Sequence, residues 1–313
     1  NTASAWLRDN ARRDNFLLWV DCFDPHEPWD TPPEFILKYD DRSGYDGRID
    51  PRSFAGRNHE DMPPEGKKHI SAQYAAKVSW VDHWLGSFLD TLEETGLAEN
   101  TAVLLTADHG TNVAERGSYG KGFPVREQEA RTPFILRVPG VEPRRSEVIV
   151  QPQDVYATVM GLADGETPDD LDSHNVLELA RAGESGPRGV ALAGVRADRW
   201  SGETERILFS VFDREWCLEV SADPLHCRLT PLGSIEDLAS EHPEVVDRLW
   251  EAGVEGIERR NAHPALVKWL KSRGEDRWPT DIDYWNGYPG PENYSPYFGR
   301  IYTGEWCGEQ EDR

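Results

Sequence analysis

The sequence predicts an α/β protein: a mostly parallel sheet flanked by helices, followed by a small antiparallel sheet with a helix packed on it. Three observations lead to this fold class. Two short apolar runs, at residues 16–21 and 102–106, are typical of buried strands. A helical repeat over residues 71–95 lies between them, and short strand-like segments follow later in the chain. We therefore expect a larger α/β unit and a smaller α+β unit.

Composition restricts the partners. Lys and Arg total 34 against 57 Asp and Glu, which gives a formal charge of -23 and a pI near 4.8. Such a charge repels nucleic acid and anionic membrane surfaces. The mean hydropathy is -0.67, and no apolar stretch is long enough to cross a bilayer. We expect neither nucleic acid nor a membrane as a partner.

Four cysteines are present, Cys22, Cys217, Cys227 and Cys307, and none belongs to a C-x-x-C pair. A zinc ribbon or a dithiol redox motif is therefore not indicated. Cys217 and Cys227 either bridge across a hairpin or remain free buried thiols. The cysteines leave the compartment open, and the lack of a recognisable signal peptide favours the cytoplasm slightly.

The first apolar run, FLLWVD at residues 16–21, predicts a parallel strand buried on both faces. It leads into a turn in which prolines stand on both sides of His26 and stiffen the backbone. An imidazole held there suits hydrogen bonding to a substrate oxyanion or leaving group. The alternative is a histidine in a rigid surface turn. Residues 31–68 are rich in Pro, Gly, Asp and Arg, which predicts a long surface loop.

An amphipathic helix is expected at residues 71–95, where apolar residues recur every three or four positions before Gly96. The second apolar run then ends at Asp108, His109 and Gly110. Ligands bind at the carboxyl ends of strands in open α/β sheets, so this carboxylate and imidazole are candidate metal ligands. A helix cap and a structural histidine are the alternatives.

Lys121 stands between two glycines in a polar segment, so the backbone there can approach a ligand closely. An ammonium in this position suits a sulfate or phosphate oxygen, and a solvated loop lysine is the alternative. Residues 133–138 follow as a further predicted strand.

The carboxyl-terminal part begins after a predicted helix at residues 154–163 and an acidic stretch at 164–172. Residues 189–196 and 206–220 predict short strands of an antiparallel sheet, and Pro243 opens a helix.

These boundaries predict three regions: residues 1–175 as part of an α/β catalytic domain, 176–275 as a small α+β domain, and 276–313 as a tail. The tail is rich in aromatic residues, Pro and Gly. We expect it to wrap the body or a partner subunit, with an aromatic wall for a sugar or aryl substrate as the alternative.

Five segments follow one another as they do in the sulfatases of the alkaline phosphatase superfamily: FLLWVDCFDPHEPWD, WVDHWLGSFLDTLEETGL, TAVLLTADHG, YGKG and RTPFILRVPG. The chain resembles that family over roughly residues 14–180. The resemblance implies an alkaline-phosphatase-like fold in which Asp108 and His109 ligate a divalent cation. Calcium is the first expectation, with manganese or magnesium as alternatives. It also implies that His26 contacts the sulfate or leaving-group oxygen and that Lys121 binds oxygens of the transferring group.

Two sulfatase features are missing from these residues: an amino-terminal Asp-Asp pair, and a C-x-P-x-R or S-x-P-x-R segment whose first residue becomes the formylglycine nucleophile. Cys22 is followed by Phe-Asp-Pro, and the segment from Ser185 to Arg188 is one residue too short. We therefore expect the carboxyl-terminal portion of a sulfuric ester hydrolase, with the nucleophile on an amino-terminal part. The alternatives are a phosphonate monoester or phosphodiester hydrolase, and a non-catalytic fragment or pseudoenzyme. The expected partners are a small sulfated or phosphorylated ester and either a second copy of the chain or the amino-terminal half.

Overall fold

The structure is a computed structural model that describes residues 2–40, 64–115, 119–121, 125–182, 186–198, 206–222, 225–260, 262 and 264–275. The helices are α1 (Thr2–Asn10), α2 (Pro33–Ile36), α3 (Pro64–Glu94), α4 (Glu127–Ala130), α5 (Asp154–Leu162), α6 (Val176–Ala182), α7 (Pro243–Arg259) and α8 (Pro264–Lys271). The strands are β1 (Val103–Thr106), β2 (Asn112–Val113), β3 (Tyr119–Gly120), β4 (Phe134–Arg137), β5 (Ala191–Asp198), β6 (Arg206–Phe212), β7 (Trp216–Ala222) and β8 (Leu225–Pro231). Within these ranges no helix has the length and apolar character needed to cross a membrane.

Helix α3 is the long element of the amino-terminal part, and it begins earlier than the predicted helix. It ends before Gly96, whose φ of 75° is a left-handed conformation that favours glycine. Helix α1 packs beside its last turns, where Leu7, Leu92 and Ala98 form a buried cluster. The predicted loop at residues 31–68 is wrong at both ends, because α2 lies inside it and α3 starts at Pro64. Its residues 41–63, like the predicted tail at 276–313, lie outside the described ranges.

Strands β1 and β4 confirm the second apolar run and the strand predicted at 133–138. They pair with each other in antiparallel register, with Val103 opposite Arg137 and Thr106 opposite Phe134. Every strand pair in the described part of the chain is antiparallel. The predicted mostly parallel sheet therefore has no counterpart among these residues, because none of them supplies β1 with a parallel neighbour.

The strand predicted at residues 16–21 is wrong for this structure. The segment forms no ladder, and its apolar side chains are largely exposed: Leu17 is 72%, Trp19 is 71% and Val20 is 55% exposed. An apolar run becomes a buried strand only when neighbouring strands satisfy its backbone groups and cover its faces. Phe16 and Leu18 pack against the cluster of Leu7, Leu92 and Ala98, but no strand among the described residues pairs with this segment.

The predicted carboxyl-terminal sheet and helix are confirmed. Strands β5–β8 form an antiparallel meander, and α7 and α8 pack on one face of it. The core between sheet and helices consists of large apolar side chains, among them Phe209, Val211, Leu218, Leu249 and Trp250.

Cys217 and Cys227 lie on neighbouring strands of this sheet and form no disulfide with each other, so the bridged alternative is wrong. The register explains this result, since Cys217 faces Thr230 while Cys227 faces Val220. Two cysteines that do not face each other across the ladder are too far apart to bridge without backbone movement.

A cluster of charges connects the two regions of the chain. Arg188 donates to Asp154 Oδ2 at 2.5 Å and to Asp172 Oδ1 at 2.9 Å, and Arg260, the residue after α7, also contacts Asp172. The Asp154 side chain is 1% exposed and also accepts a hydrogen bond from the His174 backbone N–H. Burial lowers the pKa of Arg188, but its hydrogen bonds to the two carboxylates outweigh this effect and raise the pKa overall.

Candidate active site

The turn that carries His26 is fixed to helix α3 by an aromatic anchor. Trp29 is 2% exposed and shares a buried cluster with Ile70 of α3 and Tyr119 of β3. Its indole N–H donates to the Pro25 carbonyl at 3.0 Å, which closes the turn. The same cluster therefore positions the His26 turn and the strand that leads to Lys121.

Lys77 of α3 provides a second anchor. Its ammonium contacts Asp24 at 2.9 Å and Asp30 at 3.2 Å, one carboxylate on each side of His26. Burial lowers the pKa of Lys77, but the hydrogen bonds and charges of these carboxylates outweigh that effect and raise the pKa. The turn is held at both ends by one buried cation.

Glu27 is the centre of the candidate site, although no motif in the sequence singled it out. Its carboxylate is only 7% exposed, and its Oε2 lies 2.8 Å from the Lys121 ammonium and 3.1 Å from His26 Nδ1. Its Oε1 accepts a longer contact of 3.4 Å from the Thr111 hydroxyl. One buried carboxylate thus joins the two residues predicted to act in catalysis, which are 95 positions apart in the sequence.

The electrostatics of Glu27 favour its charged form. Burial raises its pKa, but the Lys121 hydrogen bond and charge, a backbone hydrogen bond and His26 together lower the pKa below its ordinary value. The only sequence signal for this residue was its place between His26 and Pro28. The partner that explains its burial is far away in the chain.

His26 is oriented by the same residue. Its Nδ1 lies 2.8 Å from the Glu27 carbonyl oxygen as well as near the carboxylate, and the ring stacks on Phe23 with centroids 4.3 Å apart. Two acceptors at Nδ1 favour the tautomer that carries its proton there. The Nε2 atom is then free to act on a ligand.

The loop with Asp108 and His109 is held by helix α4. The Gly110 N–H donates to the Glu129 carbonyl at 2.7 Å, and the Asn112 amide donates both to the buried Glu129 carboxylate and to the Gly120 carbonyl at 2.8 Å. Asn112 also pairs with Gly120 in the short β2–β3 ladder. The Asp108 loop and the residue before Lys121 are therefore adjacent.

Asp108 and His109 present an oxygen and a nitrogen donor side by side. The Nε2 atom of His109 lies 3.5 Å from Asp108 Oδ2, and its Nδ1 lies 2.8 Å from the Gly110 carbonyl oxygen. An Nδ1–H that donates to a backbone carbonyl leaves the Nε2 lone pair available, as in metal-bound histidines. Asp108 is 85% exposed, so its carboxylate is accessible to an ion. These two donors fit a divalent cation.

They do not complete its coordination. Among the residues with described positions, no group of three or more His, Cys, Asp or Glu side chains could hold a metal. Oxygen-rich sites for hard cations use six or more ligands, so further ligands have to come from outside this set.

The fold has clear counterparts among solved structures. A protein of a Bacteroides thetaiotaomicron locus for glycosaminoglycan metabolism matches with a TM-score of 0.66 and 22% identity, over 87% of this chain and 60% of that one. The phosphonate monoester hydrolase SpPMH from Silicibacter pomeroyi matches with a TM-score of 0.55 and 22% identity, over 67% of this chain and 45% of the other. Over these shares of its length the chain follows the fold of these two proteins, which are of the alkaline-phosphatase-like class that includes sulfatases and phosphonate hydrolases.

Sequence comparison narrows this class. The Sulfatase family model matches residues 1–165, which is more than half of the chain. The uncharacterized sulfatase YidJ of Escherichia coli K12 is 30% identical over 201 residues, covering 61% of this chain and 39% of that protein. The arylsulfatase of Clostridium perfringens is 26% identical over 198 residues, covering 57% and 40%. The chain belongs to the sulfatase family, and it spans about two fifths of the length of these relatives.

Proposed function

We propose that this chain supplies the oxyanion-binding and proton-donating half of a sulfuric ester hydrolase. The observation that carries the proposal is the buried Glu27 carboxylate, which brings His26 and Lys121 together beside the loop of Asp108 and His109. His26, Lys121 and the pair Asp108 and His109 each have chemistry that sulfate ester cleavage needs. Membership in the sulfatase family supports the same reading.

Lys121 binds the sulfate group in this proposal. Its ammonium has three N–H donors, of which Glu27 takes one, and its side chain is 34% exposed. The remaining donors can bind non-bridging oxygens of the ester and neutralise charge there in the transition state.

His26 protonates the leaving oxygen. In its imidazolium form, His26 keeps one proton on Nδ1, which faces Glu27, and carries a second on Nε2. The Nε2 proton passes to the departing alcohol or phenol, and the ring is left as the neutral Nδ1–H tautomer. A leaving group that departs as the neutral alcohol needs less driving force than one that departs as an alkoxide.

Asp108 and His109 are the proposed metal ligands of this chain. A divalent cation would polarise the ester and neutralise its oxygens as a Lewis acid. We propose calcium, since oxygen ligands suit a hard cation, with manganese or magnesium as the alternatives.

The nucleophile and the remaining ligands are proposed to lie outside residues 1–313, because no C-x-P-x-R or S-x-P-x-R segment occurs in them. We propose a small ester as substrate, since a net charge of -23 disfavours polyanions. Association with the part that carries the nucleophile is the proposed assembly, with self-association as the alternative.

A phosphonate monoester or phosphodiester is the second candidate substrate. Lys121 and a divalent cation would neutralise phosphoryl oxygens as well as sulfuryl oxygens. The structural likeness to a phosphonate monoester hydrolase supports this candidate.

The test uses the product of the complete reading frame that encodes these residues. Hydrolysis of 4-nitrophenyl sulfate, a 4-nitrophenyl phosphonate and bis(4-nitrophenyl) phosphate is measured for the wild type, His26→Ala, Lys121→Ala and Asp108→Asn. We expect sulfate turnover to fall by about 10²–10⁴-fold for His26→Ala and about 10²–10³-fold for Lys121→Ala. Calcium titration calorimetry should show weaker binding for Asp108→Asn.

Matched controls are available on exposed positions: His226→Ala, Lys68→Ala and Asp9→Asn change the same residue types away from the site. These variants should keep wild-type turnover and calcium affinity. Faster turnover of the phosphonate than of the sulfate would favour the second candidate. If the metal-loaded protein hydrolyses none of the three esters, the hydrolase proposal is wrong and a binding role takes its place.

A further inference from the structure

We propose that Glu27 is a positioning residue whose carboxylate holds the Lys121 ammonium and the His26 imidazole where both can contact the ester substrate. The proposal rests on the proposed function, since it concerns how the groups of that same site are held. It adds a role for Glu27, which the proposed function leaves without one. Neither the sulfatase resemblance nor the metal chemistry assigns a role to this carboxylate.

The contact with Lys121 limits a flexible side chain. A lysine ammonium ends a four-carbon stem with many rotamers, and a point charge gives no fixed geometry by itself. The Lys121 ammonium is 2.8 Å from Glu27 Oε2, and the carboxylate is itself 7% exposed. A buried acceptor cannot follow the ammonium into solvent, so the ammonium stays beside the turn with its other donors available.

The contact with His26 fixes the orientation of the imidazole ring. The carboxylate oxygen that binds Lys121 is also 3.1 Å from His26 Nδ1, and the Glu27 carbonyl oxygen lies 2.8 Å from the same nitrogen. A single residue therefore fixes both the tautomer of His26 and the distance between the imidazole and the ammonium. The pair acts on one substrate, so their separation matters for catalysis.

The geometry indicates more than a structural ion pair. The turn is already anchored by the buried Trp29 and by Lys77 with its two carboxylates. A buried ion pair is a weak contributor to stability, because desolvation offsets most of its attraction. Glu27 nevertheless directs its charge to the two groups proposed to act on the ester.

The first experiment does not depend on turnover. The Glu27 carboxyl is followed by carbon NMR in the complete reading-frame product with labelled glutamate, and its signal is assigned by its loss in Glu27→Gln. Replacing the cation in Lys121→Met should raise the apparent pKa of this carboxyl, because the carboxylate loses the hydrogen bond and the charge of the ammonium. The control variant Lys68→Met removes an exposed lysine and should leave the carboxyl titration unchanged.

The second experiment uses the complete reading-frame product and 4-nitrophenyl sulfate. Glu27→Gln keeps the size of the side chain and removes its charge, and we expect kcat to fall about 10–100-fold with little change in KM. In a Lys121→Ala background the same substitution should cost much less, because Glu27 acts through the residue already removed. The exposed Glu34→Gln is the matched control and should retain wild-type kcat.

The outcomes separate the two proposals. An unchanged Glu27 titration in Lys121→Met overturns the positioning role, whether or not the protein cleaves sulfate esters. A shifted titration with wild-type kcat in Glu27→Gln overturns it as well. If no ester is cleaved, the proposed function fails, and the NMR titration alone decides whether Glu27 holds Lys121.

Discussion

Gly110 is the position at which one added methyl group should disturb the candidate metal loop most. A Cβ atom built there lies 2.1 Å from the Gln128 carbonyl oxygen and 3.2 Å from its carbonyl carbon. An unstrained carbon–oxygen contact is about 3.3 Å, so the loop or helix α4 has to move by roughly 1 Å. The obstacle is backbone, which cannot turn aside as a flexible side chain can.

The cost of Gly110→Ala follows from two terms. The movement weakens the 2.7 Å hydrogen bond from the Gly110 N–H to the Glu129 carbonyl, which contributes about 1 kcal/mol. Overpacking adds about 1–3 kcal/mol, so we expect a total loss of about 2–4 kcal/mol in the free energy of unfolding. A 1 Å displacement of Asp108 and His109 should also lower ester turnover about 10²-fold.

Urea denaturation followed by tryptophan fluorescence measures the first effect. The control is Gly86→Ala in helix α3, where an added Cβ meets nothing within 4 Å. Alanine is the better helix former, so this control should gain about 0.5–1 kcal/mol. If Gly110→Ala unfolds at the wild-type urea concentration and keeps its calcium affinity, the close approach to α4 is refuted.

Three further predictions concern charges and thiols. Lys77→Met should lower the free energy of unfolding by about 1–2 kcal/mol in urea titrations, less than a fully buried pair would cost because both carboxylate partners are partly exposed. The pKa of Glu27 in the folded state lies below its unfolded value near 4.3. The ionised carboxylate therefore stabilises the fold above that pH, and this stabilisation is lost on acidification. The free energy of unfolding of Glu27→Gln should consequently fall less steeply than that of the wild type from about pH 6 to 3. In a Cys307→Ser variant, a thiol reagent near pH 8 should label Cys22 at once and Cys227 only after unfolding, since burial raises the pKa of Cys227 to about 11. If the wild type and Glu27→Gln lose stability equally on acidification, the expectation for Glu27 is contradicted. Rapid labelling of Cys227 in the folded chain would contradict the expectation for the thiols.

The sequence correctly predicted the helices and strands whose apolar side chains are covered by other described residues of this chain. Helix α3, strand β1 and the sheet with α7 have apolar periodicities that their neighbours in the structure satisfy. The run at 16–21 has an equally apolar pattern, and the strand prediction failed there. A pattern records what a segment can bury, whereas exposure depends on which neighbours are present.

The candidate site was predictable to the extent that its residues stand in recognisable local segments. His26 occupies a stiff turn, and Asp108 and His109 follow a predicted strand. Lys121 stands between two glycines, which let the backbone approach a ligand. Glu27 could not be found in this way. Its importance depends on a contact with Lys121 across 94 positions, and no local pattern encodes such a contact.

The charge cluster around Arg188 limits how this family member can be divided or recombined. A polypeptide ended at residue 175 would keep the buried Asp154 and the exposed Asp172 and lose both Arg188 and Arg260. An uncompensated buried carboxylate costs several kcal/mol, so such a polypeptide should fold poorly however well its helices are kept. Exchange of the carboxyl-terminal sheet between relatives would have to transfer both arginines, or replace the two aspartates with neutral residues.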